Sequence, residues 1–149
     1  MTVGLLFIWD DGWFHPGAEL TLWHDLAIAY GVDLLIMIPD LRIYSYQDIQ
    51  FEKFGTVEEA INAHDELVKV FLEPKSIADE HGIPSEPLST FSHPTDALYI
   101  FGNSGRSNIG LVDTSRGDKV VYIQTPVDQQ LWSIQVASIV LRDRFEKQG

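Results

Sequence analysis

The chain of 149 residues contains no cysteine, which excludes disulfides, thiolate zinc sites and a cysteine nucleophile. It is also poor in positive charge: ten Lys and Arg stand against 22 Asp and Glu, for a formal net charge of −12. Nucleic-acid surfaces ordinarily cluster Lys and Arg, because neutralising phosphates supplies much of the affinity. No stretch approaches the roughly 20 apolar residues that a membrane span needs, and Met1 to Asp11 lacks the positively charged segment of a secretory signal. A soluble, cytoplasmic protein is expected. What is plentiful is apolar: 45% hydrophobic and 11% aromatic residues. That excludes disorder and, at this length, fills one core, so residues 1–149 are read as a single domain.

The negative charge is unevenly spread. Residues 1–100 hold 17 acidic and 4 basic side chains, whereas residues 101–149 hold 5 and 6. A phosphate-binding patch would have to be built from Arg106, Arg116, Lys119, Arg142 and Arg144. The plain alternative is acidity that merely maintains solubility.

Val3–Trp9 is a short, continuously apolar run of the kind that is buried on both faces of a sheet. Glu19–Tyr30 places Leu20, Trp23, Ala27 and Tyr30 at helical spacing, with Gly31 as its stop, and Val32–Ile38 closed by Pro39 is a second buried strand. Strand, helix and strand with short links read as a βαβ unit and hence a parallel sheet. Arg42–Phe54 reads as loop with one short strand. Thr56-Val57-Glu58-Glu59 has the form of a capping box for a helix running to about His64 or Glu66. Leu67–Leu72 is a strand, Ser76–His81 a short helix stopped by Gly82, and Ile83–Pro94 a Pro- and Ser-rich connection. Ala97–Phe101 is a buried strand entering the glycine-containing loop Gly102–Gly110. Lys119–Ile123 is another strand, entering Gln124–Gln130, and Leu131–Glu146 is the clearest helix.

Loops at the carboxyl edge of a parallel sheet are where open α/β folds place their ligands. Gly102–Gly110 lacks the Lys-Ser/Thr ending of a P-loop and the spacing of a dinucleotide fingerprint, so nucleotide hydrolysis is not indicated, and its glycines would otherwise only permit tight turns. The five histidines show no metal-ligand pairing, and Gly102-Asn103-Ser104-Gly105 is not a nucleophile elbow. Trp13 and Phe14, in the first carboxyl-edge loop, are candidates for stacking on bases; Trp23 and Trp132, on apolar helix faces, read as packing.

In this order, three stretches make the sequence resemble the SpoU-like branch of the α/β-knot (SPOUT) RNA methyltransferases. Leu98 to Arg106 (LYIFGNSGR) is similar to a hydrophobic strand followed by Phe-Gly-x-Glu-Gly. Val120 to Pro126 (VVYIQTP) with Gln130 to Leu141 is similar to an Ile-Pro strand end leading into a Ser-Leu-Asn helix start. The first strand, the helix ending in Ala29-Tyr30-Gly31-Val32-Asp33 and the second strand match the first motif in layout. The resemblance implies an α/β fold, Rossmann-like, with a mostly parallel sheet flanked by helices and a C-terminal deep trefoil knot. It implies a homodimer and S-adenosylmethionine held by main-chain groups of Phe101, Gly102, Asn103, Ser104, Gly105, Ile123, Gln124, Thr125, Gln130, Leu131 and Trp132. The reaction implied is ribose 2′-O-methylation of tRNA or rRNA.

The sequence departs from the family at its catalytic side chains. Glu19 and Asp25 stand near the positions of an Asn and an Arg of the first helix, Ser104 replaces a Glu, and Gln130 and Trp132 replace the Ser and Asn. Deprotonating a hydroxyl needs a base or an electrostatic partner, for which His24 as base and Arg106 as phosphate anchor or oxyanion partner are the candidates, against a solvent-facing histidine and a surface arginine. The rival expectation is a catalytically inactive protein of this fold that binds S-adenosylmethionine or a protein partner. Scarce positive charge would make RNA binding weak and salt-sensitive, or dependent on an auxiliary protein. Neither DNA nor a membrane is an expected partner.

Overall fold

The computed structural model describes residues 1–10, 16–42, 44–103 and 106–148, with Pro16 described by its backbone alone. Seven strands form one all-parallel sheet: β1 (Val3–Ile8), β2 (Leu34–Ile38), β3 (Gln50–Lys53), β4 (Val68–Leu72), β5 (Glu86–Pro87), β6 (Ala97–Phe101) and β7 (Lys119–Tyr122), in the spatial order β3-β2-β1-β6-β4-β7-β5. The helices are α1 (Pro16–Ala29), α2 (Val57–Asn62), α3 (Lys75–Glu80) and α4 (Ser133–Gln148). Among the described residues no helix is long and apolar enough to cross a membrane.

Every residue of β1, β2 and β6 is buried, which is why these strands are unbroken apolar runs rather than alternating ones. Successive side chains enter opposite cores. Leu5, Phe7, Tyr99 and Phe101 pack beneath α1 and α4, whereas Leu6, Ile8, Leu98 and Ile100 pack against α2 and Ala78 of α3. Trp23 fixes α1 to the sheet: its ring stacks on Phe7 with centroids 4.7 Å apart and tilts against Phe101 at 5.4 Å. Truncation of such a buried aromatic costs about 3–5 kcal/mol.

Helix boundaries follow local chemistry. Gly31 and Gly82 take positive φ (65° and 66°) after α1 and α3, and the Thr56 side chain accepts a bond from the Glu59 N–H at the start of α2. α2 is shorter than its pattern suggested, ending at Asn62; His64, two residues on, turns its ring to Glu52 (2.7 Å) and Glu66 (3.2 Å). α4 starts at Ser133, two residues later than expected.

α4 is pinned by a buried polar cluster. Arg144 donates to the Tyr99 hydroxyl (2.9 Å) and to the carbonyls of Pro94 and Thr95. The Tyr99 hydroxyl meets His93 Nδ1 at 2.7 Å, and His93 Nε2 meets Asp143 at 2.7 Å. Burial pushes the His93 pKa down, which keeps the ring neutral and able to accept from tyrosine.

Among the described residues the C-terminal basic side chains do not gather into one patch. Arg144 is buried in this cluster, Arg116 is paired with Asp118 and Arg142 with Glu146. Lys119 opens β7 at the amino edge of the sheet, the opposite edge from Arg106. Arg116, Arg142 and Arg144 are each engaged by a carboxylate or carbonyl of the chain itself.

Candidate functional site

From β1 the chain steps outward to β2 and β3, then crosses to β4 on the far side of β6. The reversal opens a crevice outside the carboxyl ends of β1, β6 and β4, the usual ligand position in open α/β sheets. Three segments meet there: the end of β1, the loop after β6, and the approach to α4 after β7.

The loop after β6 is a tight, double-bonded turn. Asn103 N–H donates to the Arg106 carbonyl (3.2 Å) and Arg106 N–H to the Asn103 carbonyl (3.1 Å). This geometry requires glycine at 102, because a Cβ there would lie 2.4 Å from the Arg106 carbonyl oxygen. Ser104 and Gly105, both expected at the cofactor, lie outside the described residues, as do Trp13 and Phe14. The turn is tied on both flanks. Asn103 Nδ2 reaches the Trp9 carbonyl at 3.4 Å, and the Ser133 hydroxyl of α4 donates to the Gly102 carbonyl. On the other side Glu73, just past β4, accepts from the Ser107 hydroxyl and from the Asn108 N–H at 3.2 Å. Burial raises the Glu73 pKa, with these bonds opposing the shift.

After β7 the main chain is left open. Among the described residues no backbone N–H from Gln124 to Leu131 is hydrogen-bonded, although Thr125 Oγ1 donates to the Val127 carbonyl. The loop leads into α4 at Trp132, whose N–H donates to the Gln135 side chain (2.8 Å), half of a capping box. Trp132 is 43% exposed, because it precedes α4 and lies off the apolar stripe that the helix buries.

Where β1, β6 and α4 converge lies a cavity of about 10 Å³, room for one water molecule. Asp10, Glu19, Trp23, Asn103, Trp132 and Ser133 line it, with Ile8 and Ile134. Asp10 and Glu19 are both buried, at 8% and 4% exposure, and the Asp10 N–H donates to both Glu19 carboxylate oxygens at 3.0 and 3.2 Å. Burial is the main cause that lifts the Glu19 pKa to about 7. The neighbouring Asp10 charge adds to it, while hydrogen bonds from the Asp10 backbone and the Trp23 side chain oppose it.

Neither acid is among the site residues expected from the sequence, although Glu19 stands near the position of the first helix's Asn. A signal was present for Glu19: at positions 19, 23 and 27 it shares the i, i+4, i+8 stripe of Trp23 and Ala27, so a carboxylate was being placed on the buried face.

His24 and Arg106 are placed apart in character. The His24 ring stacks on Tyr46 with centroids 4.1 Å apart, its Nδ1 is 3.0 Å from Asp25 and its Nε2 2.9 Å from Asp48, and it does not line the cavity. Burial opposes its charged form, but the two carboxylates outweigh burial and raise the pKa. Arg106 is exposed at the mouth of the turn, and its side chain has no ion pair among the described residues.

No protein-family model matches the chain, and no curated protein matches it in sequence. Solved structures do. An RNA methyltransferase described as putative, from Bacillus anthracis, superposes with a TM-score of 0.68 at 15% identity, over 98% of this chain and 94% of that one. The SpoU methyltransferase AviRb from Streptomyces viridochromogenes, in complex with AdoMet, superposes at 0.71 and 14% identity over 99% of this chain and 60% of that one. A structure addressing 2-OH methylation of C/U34 on tRNA superposes at 0.67 and 12% identity over 99% and 96%. The chain therefore has the α/β fold of SpoU-type methyltransferases, and it spans about three fifths of AviRb.

Proposed function

We propose that the chain is a cytoplasmic, S-adenosylmethionine-dependent RNA methyltransferase acting on a ribose 2′-hydroxyl of tRNA or rRNA. The observation that carries this is the coincidence of the fold, matched over 98–99% of the chain, with the loop architecture at its carboxyl edge. The knot expected of this fold is part of the same reading, supported by the sheet order and by α4 returning onto α1.

The donor set fits the cofactor. Unbonded main-chain N–H groups between Gln124 and Leu131 suit recognition of a purine edge and a carboxylate through the backbone. When bound, the cofactor supplies an electrophilic methyl group on a sulfonium. Ile123, Thr125, Gln130 and Trp132 lie on the loop that would close over it, and the water-sized gap must widen to admit it.

Arg106, exposed and without an ion pair, is the phosphate anchor of this reading. The rest of the RNA-binding surface comes from a second copy or an auxiliary protein, because the other C-terminal arginines are engaged. Leu22 and Ile28 of α1 and Ile139 and Phe145 of α4 are exposed apolar side chains suited to a homodimer contact. His24 is held between Asp25 and Asp48, whose carboxylates favour its protonated form.

The test is calorimetric titration with S-adenosylmethionine and S-adenosylhomocysteine, followed by transfer of labelled methyl to bulk tRNA and rRNA. Micromolar binding with label in the RNA supports the reading, and no heat at millimolar ligand sinks it. A second reading, a non-catalytic binding protein, is favoured by one observation: Ser133 closes on Gly102 and leaves room for a single water. Cofactor binding without transfer would select it.

A further inference from the structure

We propose that the Glu19 carboxylate takes the proton from the acceptor hydroxyl as the methyl group is transferred, a role that rests on the methyl-transfer reading above. The lining of the crevice narrows the choice. Among the described residues around the gap, the ionisable groups are Asp10 and Glu19; the others offer an amide, a hydroxyl, indoles and aliphatic carbon. Arg106 cannot accept a proton at any relevant pH, and His24 is held between Asp25 and Asp48 away from the gap.

The Glu19 carboxyl is held in place. It projects from α1, which the Trp23 stack fixes to the sheet, and the Asp10 backbone N–H fastens both of its oxygens. A rigid element and a fixed rotamer are what a proton acceptor needs. The gap is sized for one water and Glu19 lines it, so an incoming hydroxyl would take that position beside the carboxyl. Two buried carboxyls side by side also resist ionising together, so Glu19 holds a proton more readily than an exposed glutamate and exchanges it near neutral pH.

The step balances as follows. The hydroxyl oxygen forms a bond to the methyl carbon of the sulfonium donor, the carbon–sulfur bond breaks with its electron pair remaining on sulfur, and the hydroxyl proton passes to Glu19 and then to water. An alcohol and a sulfonium become a methyl ether, a thioether and one proton. No oxidant or reductant enters.

The experiment compares wild type, Glu19→Gln, Glu19→Asp and His24→Gln, each first shown folded by circular dichroism. Carboxyl carbon-13 resonances are titrated in the free protein: a resonance with a midpoint near pH 7, absent from Glu19→Gln, establishes the acceptor's availability without reference to activity. Calorimetry with S-adenosylmethionine should give affinities within about threefold for all four proteins. Single-turnover methyl transfer to bulk tRNA and rRNA should fall at least about 100-fold in Glu19→Gln, the usual size of a general-base contribution. Glu19→Asp should retain the pH midpoint at a lower rate, and His24→Gln should transfer within about threefold of wild type. Active wild type with an equally active Glu19→Gln, or an unchanged pH profile in that variant, overturns the role of Glu19 alone. Failure of wild type to bind the donor or transfer methyl overturns the methyl-transfer reading, and the role with it.

Discussion

Replacing Glu19 by Gln should make the protein more stable, and only above about pH 5. Glu19 is buried beside Asp10, and its pKa is raised from 4.5 to about 7. Between those values the folded state binds a proton that the unfolded state releases, so stability falls as pH rises from about 4.5 to about 7 and is level outside that window. At about 1.4 kcal/mol for each tenfold change in proton affinity, the loss accumulated by pH 8 is about 3 kcal/mol. That figure is a ceiling, because a carboxyl at the wall of a water-sized gap keeps some hydration. Glutamine has the same length, still accepts from the Asp10 N–H and carries no charge to bury. Urea unfolding of both proteins from pH 4 to 8.5 should give curves that coincide near pH 4.5 and diverge by up to about 3 kcal/mol at pH 8. For a domain of this size that equals roughly 6–12 °C in melting temperature. A difference independent of pH, or a glutamine variant weaker than wild type at pH 8, would refute the argument that an ionised carboxylate is being held in the crevice against its solvation preference. A stability gain coupled to lost methyl transfer is what a residue kept for its chemistry rather than for the fold should show.

Two further outcomes test the surrounding architecture. Gly102→Ala places a Cβ 2.4 Å from the Arg106 carbonyl, so the 103–106 turn must open; melting should register a loss of about 1–3 kcal/mol, and calorimetry at least a tenfold weaker affinity for S-adenosylmethionine. Unchanged affinity would remove this turn from the cofactor site. Tyr99→Phe deletes the hydroxyl shared by His93 and Arg144 in the buried cluster. A loss of about 1–3 kcal/mol is expected in urea unfolding, and an unaltered midpoint would mean that the cluster does not pin α4.

Much of the fold was legible because its central strands are buried on both faces. Val3–Ile8, Leu34–Ile38 and Ala97–Phe101 announce themselves as apolar runs, and Thr56, Gly31 and Gly82 mark helix ends by chemistry that acts within one turn. The outermost strands left a fainter mark. β3 is made of half-exposed and polar residues, and β5 is two residues inside the Pro- and Ser-rich connection, followed by a 3₁₀ turn at Leu88–Thr90. The site was legible as loops and not as side chains. A strand run points to the edge where its loop emerges, but burial of Glu19 beside Asp10 depends on α1 being laid across the end of β1. Arg144 shows the same limit: it lies on the stripe of Ala137, Val140 and Leu141, and its destination in the 93–99 cluster is set by residues some 50 positions away.

The open stretch between Gln124 and Leu131 bears on how such a protein changes over generations. A ligand gripped by peptide N–H groups places few demands on the identity of the side chains around it, since almost any residue supplies the same amide. Substitutions can accumulate there while the path of the chain, and with it the grip, stays as it was. Likeness in shape can hold where likeness in letters is slight, and this chain, sharing 12–15% of its residues with the structures it matches, superposes on them over 98–99% of its own length.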